Sequence, residues 1–155
     1  MLSLIYVSTA RVPITDSMVE SLAAEAAKNN SQHQITGLLA YNSRSFMQLL
    51  EGEGDTVLAT MHAIERDTRH ENIVYIRQDS RFGRECPEWS MRSLITPVTG
   101  IGSVKVFTGA LPSTMEMDTK ILFSSFASAL SASGATRHAE NEQDFRDRDA
   151  VASND

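Results

Sequence analysis

The sequence has little of what most catalytic, metal and redox-disulfide chemistry requires. It holds one cysteine, Cys86, so no internal disulfide can form, and with no evident partner base that thiol reads as inert. Its four histidines, at 33, 62, 70 and 138, show no metal spacing, and no glycine-rich phosphate loop is present. Positive charge is also short. Fourteen Lys and Arg against twenty Asp and Glu give a net charge of −6. That balance argues against nucleic acid as the main partner, because phosphate binding wants a basic surface. No apolar run approaches the roughly 20 residues that span a bilayer. The opening MLSLIYVSTARV lacks the basic segment of a signal peptide. A cytoplasmic protein without a membrane partner is expected.

What is present is apolar sequence sufficient for one core, 41% of 155 residues. It is organised around Ile35–Gly54, which reads as strand, turn at Asn42-Ser43-Arg44, strand, then a glycine exit. The second of these strands, Ser45–Glu51, is apolar on both faces. Phe46 and Leu50 point one way, Met47 and Leu49 the other. Such a strand is central and covered on both sides. Gln48 falls in the Phe46/Leu50 row and is therefore expected to be buried. A buried carboxamide without partners costs about 1–3 kcal/mol, so Gln48 must meet a polar group of the protein or of a ligand.

The first strand, Leu2–Ser8, is also apolar on both sides and places Tyr6 in the core with a hydroxyl that needs a partner. Thr15 or Asp16 caps a helix running to about Lys28, whose apolar side is rich in alanine. Small side chains there serve close helix packing, or leave room for a flat ligand. Asn29 and Asn30 end that helix as a cap, or serve as ligand-facing amides. A second helix spans about Asp55–Asp67, with Val57, Leu58, Met61 and Ile64 on one face. Its charged end continues through Arg69 and His70. Strands follow at Ile73–Arg77 and at Trp89–Thr96, the latter carrying Trp89, Met91 and Ser93 on one face, with a polar loop over Asp79–Glu88 between them.

The order βαββαββ matches the split βαβ arrangement of an α+β, ferredoxin-like sheet with one added strand. Two helices are expected on one face, with strands one and three as central neighbours. Tyr6 and Gln48 then lie side by side beneath the helices. Gly100–Gly109 is a short helix or irregular. A helix over about Thr114–Ala132, with Leu122, Phe126 and Leu130 spaced by four, is expected to cover the opposite face. From Ser133 the chain is polar and charged and reads as a disordered tail. The expected organisation is a domain over 1–97, a helical cap over 98–132 and the tail over 133–155.

No acid, base or nucleophile set emerges from these residues. What remains is a phenol at 6, an amide at 48 and amides at 29 and 30, groups suited to a ligand edge of mixed donors and acceptors, such as a flavin's carbonyls and N3–H. Together, Ile5-Tyr6-Val7-Ser8, Asn29-Asn30, Ile35-Thr36-Gly37-Leu38-Leu39, Phe46 through Gly52, Arg66-Asp67 with Arg69-His70, and Trp89-Ser90-Met91 resemble the BLUF family of blue-light sensors that use flavin. The resemblance covers about residues 1–97. It implies an isoalloxazine ring between the first two helices, FAD as cofactor with FMN or riboflavin also able to fit, and cofactor contacts from Tyr6, Asn29, Asn30, Gln48, Asp67, Arg69 and His70. It further implies that light drives electron and proton transfer from Tyr6 through Gln48, whose two ends then exchange hydrogen-bonding roles. Trp89 and Met91 carry the change toward the C-terminal helix. Many family members place a basic side chain where this chain has Ala63. No output domain is expected to follow, so a separate downstream protein and a homo-oligomer are the expected partners. Two alternatives are a ferredoxin-like enzyme, such as a small flavin monooxygenase or an acylphosphatase-like hydrolase, and a regulatory module without chromophore.

Overall fold

The computed structural model of the protein describes residues 1–95 and 103–128. The strands and helices are β1 (Leu2–Ala10), α1 (Asp16–Gln32), β2 (Thr36–Tyr41), β3 (Ser45–Gly52), α2 (Gly54–Glu65), β4 (His70–Ser80), β5 (Arg92–Ile95) and α3 (Ser103–Gly109). A further helix, α4, occupies 117–128.

The five strands form one sheet in the order β4-β1-β3-β2-β5. β1 lies antiparallel to β3 and β4, β2 lies antiparallel to β3, and β5 adds to β2 in parallel. This is the ferredoxin-like α+β arrangement with an extra strand. The two-faced apolar patterns of β1 and β3 follow from their central places. Leu4, Tyr6, Phe46 and Leu50 pack under Val19 and Ala23 of α1 and under Val57 and Met61 of α2. On the other face, Ile5, Leu38, Met47 and Leu49 pack against Phe107, Leu111, Met115 and Phe123 from the C-terminal region. The sheet is thus covered on both sides, as expected.

The β2–β3 turn is set by Asn42, whose Oδ1 accepts from the backbone N–H groups of Arg44 (3.2 Å) and Ser45 (2.8 Å). Ser43 takes the left-handed conformation, φ 71°, which such a turn requires. Thr15 caps α1, its side chain accepting from the Met18 N–H. Glu53 caps α2 in the same way through the Thr56 N–H, and those hydrogen bonds hold its carboxyl below the usual range.

Several expected boundaries move. α1 runs one turn past Lys28, so Asn29 and Asn30 lie inside its last turn and His33 is the C-cap. α2 stops at Glu65, which leaves Asp67 and Arg69 in the connection and starts β4 at His70. β4 has 11 residues rather than the five of Ile73–Arg77. As an edge strand it is held by its ladder to β1 while most of its side chains face solvent, so its polar ends carry no apolar alternation. β5 is only Arg92–Ile95. Trp89 and Met91 precede it in a turn closed by the Trp89 N–H donating to Cys86 O, and they sit on opposite sides of the sheet. α4 starts at 117, later than the expected Thr114. The expected tail over 133–155 lies outside the described residues.

Candidate functional site

Tyr6 on β1 and Gln48 on β3 are direct cross-strand partners. The Tyr6 hydroxyl donates to Gln48 Oε1. Gln48 Nε2 donates in turn to the Met91 sulfur at 3.6 Å. Both residues are buried, as the shared face of two central strands dictates. Burial pushes the Tyr6 phenol well above the ordinary tyrosine value, and the Asp67 charge and Tyr75 push the same way. The phenol is therefore neutral at physiological pH. Because its folded pKa is raised, its contribution to stability is complete below the unfolded value of 10 and is lost as pH rises beyond it. The Tyr6→Phe variant is accordingly expected to lose less stability than the parent between about pH 9.5 and 11.5, measured by urea unfolding across that range.

Above this pair, α1 and α2 part to leave a cleft of about 320 Å³. Its floor is the sheet face carrying Tyr6, Leu39, Phe46 and Gln48. Leu22 and Ala26 of α1 form one wall, and Thr60, Ala63 and Ile64 of α2 the other. Among the small side chains of α1, Ala23 packs in the core and Ala26 lines the cleft. At the rim stand Glu25, Asn29, Asp67 and Arg69.

All seven residues singled out for a cofactor, Tyr6, Asn29, Asn30, Gln48, Asp67, Arg69 and His70, line this one cleft. They do not offer it equal chemistry. Asn30 is buried and its Nδ2 donates to Ser90 O at 3.0 Å, which ties α1 to the turn before Met91. Its second N–H and its Oδ1 make no further hydrogen bond among the described residues. Asn29 is exposed at the rim. Asp67 grips Arg69 through Oδ1 to Nε at 2.9 Å and Oδ2 to Nη2 at 2.5 Å, which holds the Asp67 carboxyl below its usual range. Arg69 also approaches Glu25 Oε2 at 3.7 Å, joining the α2–β4 connection to α1 across the mouth. His70 is already engaged at both ring nitrogens. Nδ1 meets Ser8 Oγ at 2.7 Å and Nε2 donates to the Ile64 carbonyl at 2.8 Å. It fastens the end of α2 to β1 and presents only its ring to the cleft.

Trp89 and Met91 stand outside the cleft lining. Met91 is in the upper layer, touching Gln48, whereas Trp89 packs against the lower layer with Arg92 stacked 4.6 Å from its ring centre. Trp89 is therefore not beside Gln48. The lining contributed by Glu25 and Thr60 was not anticipated from the sequence, because such residues on a helix look like ordinary surface until the facing helix is known.

The family model "BLUF: Sensors of blue-light using FAD" matches residues 1–92. The chain is 37% identical over 86 residues to the "Blue light- and temperature-regulated antirepressor BluF" of Escherichia coli, covering 53% of this chain and 21% of that protein. It is 32% identical over 92 residues to the "Photoactivated adenylate cyclase subunit beta" of Euglena longa, covering 59% of this chain and 11% of that protein. It thus spans less than a quarter of the length of these curated relatives. Among solved structures it resembles Klebsiella pneumoniae BlrP1 in its manganese and cyclic-diGMP complex at pH 9.0, with TM-score 0.69 and 26% identity over 83% of this chain and 33% of that one. It also resembles the dark-state BLUF protein BlrB, with TM-score 0.58 and 28% identity over 61% of this chain and 72% of that one.

Proposed function

Since the chain belongs to the family of sensors of blue light using FAD, we propose that it is a blue-light photoreceptor holding a flavin in the cleft between α1 and α2. The observation that carries this reading is the buried hydrogen-bond chain that runs from Tyr6 and Gln48 on the cleft floor to Met91. The donor set fits a flavin ring. The cleft is a slot with apolar walls, Asn30 brings a carboxamide with donor and acceptor in one plane, and Gln48 brings a second. FAD is the flavin we assign, with FMN and riboflavin sharing the ring that the slot would grip.

A bound flavin supplies a blue-absorbing ring that accepts an electron once excited. The rest is chemistry of this chain. Tyr6, kept neutral by burial, is the donor. A phenol that loses an electron becomes a strong acid, and Gln48 Oε1 is the acceptor at hand for its proton. On recombination Gln48 settles with its hydrogen-bonding roles changed, by tautomerisation or by a rotation that exchanges its two ends. The exchange places an N–H beside the Tyr6 oxygen, which can accept. It also places Oε1 beside the Met91 sulfur, and a thioether has no proton to give. The contact to Met91 is then lost, and the 89–91 turn is released from β3. Asn30 holds the same turn through Ser90 O.

The chain itself signals rather than catalyses in this proposal, passing its state to a separate downstream protein through the C-terminal region, as a homo-oligomer. No helix among the described residues is long and apolar enough to cross a membrane, and we place the protein in the cytoplasm. The test is spectroscopic. The purified full chain should be yellow and should shift reversibly to the red under blue light with no substrate added. A colourless protein that takes up no flavin rejects the chromophore, and a spectrum that changes only when a substrate is supplied favours an enzyme.

A further inference from the structure

β3 passes from the cleft to the opposite layer. Gln48 points up toward α1 and α2, and three residues on, by strand alternation, Glu51 points down. Glu51 is fully buried. Its Oε2 accepts from the Glu85 N–H at 2.8 Å, and its Oε1 from the Cys86 N–H at 2.7 Å. It thereby fixes the backbone that presents Glu85.

Glu85 is itself buried, its side chain 2% exposed, between two arginines whose side chains are only 10% and 12% exposed. Glu85 Oε2 lies 3.4 Å from Arg77 Nη2, and Oε1 lies 3.2 Å from Arg81 Nη1. Oε1 also accepts from the Thr119 hydroxyl of α4 at 2.7 Å. The same two guanidiniums reach the start of α4. Arg77 Nη1 donates to Thr119 Oγ1 at 2.7 Å, and Arg81 donates to Glu116 Oε2 and Asp118 Oδ2, each at 2.7 Å. Glu85, Glu116 and Asp118 also lie close enough together to resemble a cation site. The Arg81 guanidinium already stands among them and supplies the positive charge.

We infer that Glu85 is a positioning residue through which β3 and the light-sensing pair control the C-terminal helix. This rests on the photoreceptor reading above and adds a route from Gln48 to α4. Apolar packing between α4 and the sheet is non-directional and tolerates small slides. The buried part of this network, Glu85 with Arg77, Arg81 and Thr119, does not, because moving one partner strands the others without compensation. Glu116 and Asp118, 61% and 55% exposed, add only outer contacts. The buried part is therefore made or broken as a unit, which is the property a two-state output element needs. A shift of β3 that accompanies the Gln48 exchange reaches Glu51, then the backbone at 85 and 86, then the clasp on Thr119.

The test uses the flavin-loaded full chain. Deleting 114–155 would instead uncover Ile5, Leu38, Met47 and Leu49. Hydrogen exchange of the 117–128 amides is followed by mass spectrometry in darkness and under blue light, alongside the absorption shift. In the parent protein, light should speed that exchange about fivefold or more. Glu85→Gln should keep the red shift, exchange fast already in darkness, and show a light-to-dark ratio near one. A merely structural role for Glu85 would raise both rates and preserve the ratio, and that outcome overturns the inference. A parent whose α4 exchange ignores light overturns it too. If Glu85→Gln does not fold, Arg81→Gln, at the edge of the same clasp, carries the same expectation. A parent without any red shift overturns the photoreceptor reading and this inference with it. A red shift with a preserved ratio overturns this inference alone.

Discussion

Tyr6→Phe is expected to keep the bound flavin and abolish the reversible red shift. The phenyl ring fills the same space in the layer formed with Leu4, Phe46 and Leu50. What disappears is the hydroxyl that donates to Gln48 Oε1. Two consequences follow. The donor of the electron and proton is gone, so illumination should produce at most ordinary flavin fluorescence, brighter than in the parent. The Gln48 oxygen also loses its buried partner, at a cost of about 1–3 kcal/mol, read in urea unfolding. A control is built into the same layer. Tyr41 is a second buried phenol, 1% exposed and stacked 4.8 Å from Phe46, whose hydroxyl has no hydrogen-bond partner among the described residues. Without an acceptor for its proton it is a poor donor. Tyr41→Phe should therefore leave the red shift intact and the stability unchanged or slightly improved. If Tyr6→Phe switches normally, the assignment of the donor is wrong.

The largest effect on stability is expected at Gly37. A Cβ there would meet the Leu49 carbonyl oxygen at 2.0 Å, with the Met91 methyl at 3.1 Å. The oxygen belongs to the neighbouring central strand and cannot rotate away. On its other side Gly37 is fixed by its N–H donating to Trp89 O at 2.9 Å. Gly37→Ala must force β2 and β3 apart or push the 89–91 turn outward. A cost on the order of 4 kcal/mol or more is expected, against a total stability of roughly 5–15 kcal/mol for a domain. Most of the variant should be insoluble, and the folded remainder should have lost the Gln48–Met91 contact. Gly54→Ala, with open space around the added methyl, is the matched control. Equal stability of Gly37→Ala and the parent would show that this close approach is not what holds the turn.

The adjacency of Tyr6 and Gln48 was legible from strand patterning, while the photoactive role proposed for the two came only with the family resemblance. Strands apolar on both faces are central, and an amide and a phenol on neighbouring central strands can share one face. The register that sets Tyr6 opposite Gln48 is seen only in the ladder itself, which runs from Leu2 opposite Gly52 to Thr9 opposite Ser45. Asn30 was legible as a residue but not as a place. It read as a helix cap or a ligand-facing amide, whereas α1 continues to Gln32 and the Asn30 side chain reaches Ser90 O, 60 residues away. Trp89 and Met91 seemed to alternate along a strand, and the alternation fails because the Trp89 N–H bends back to Cys86 O. β4 was underestimated at both ends, since an edge strand can be held by its backbone ladder while its side chains stay polar. Least visible was the Glu51–Glu85 connection. Each glutamate looks like surface charge until a second strand, a loop and a helix converge on it, and no local pattern encodes that convergence.

The central claim is that Gln48 exchanges the roles of its two ends when the bound flavin absorbs light. The most direct measurement is a light-minus-dark infrared difference spectrum of the full chain with its glutamine carboxamides carbon-13 labelled. The account predicts a carboxamide carbonyl band that moves on illumination, shifts with the label, and is missing from Gln48→Ala and Tyr6→Phe. A red shift in the visible spectrum with no label-sensitive carboxamide band would contradict it.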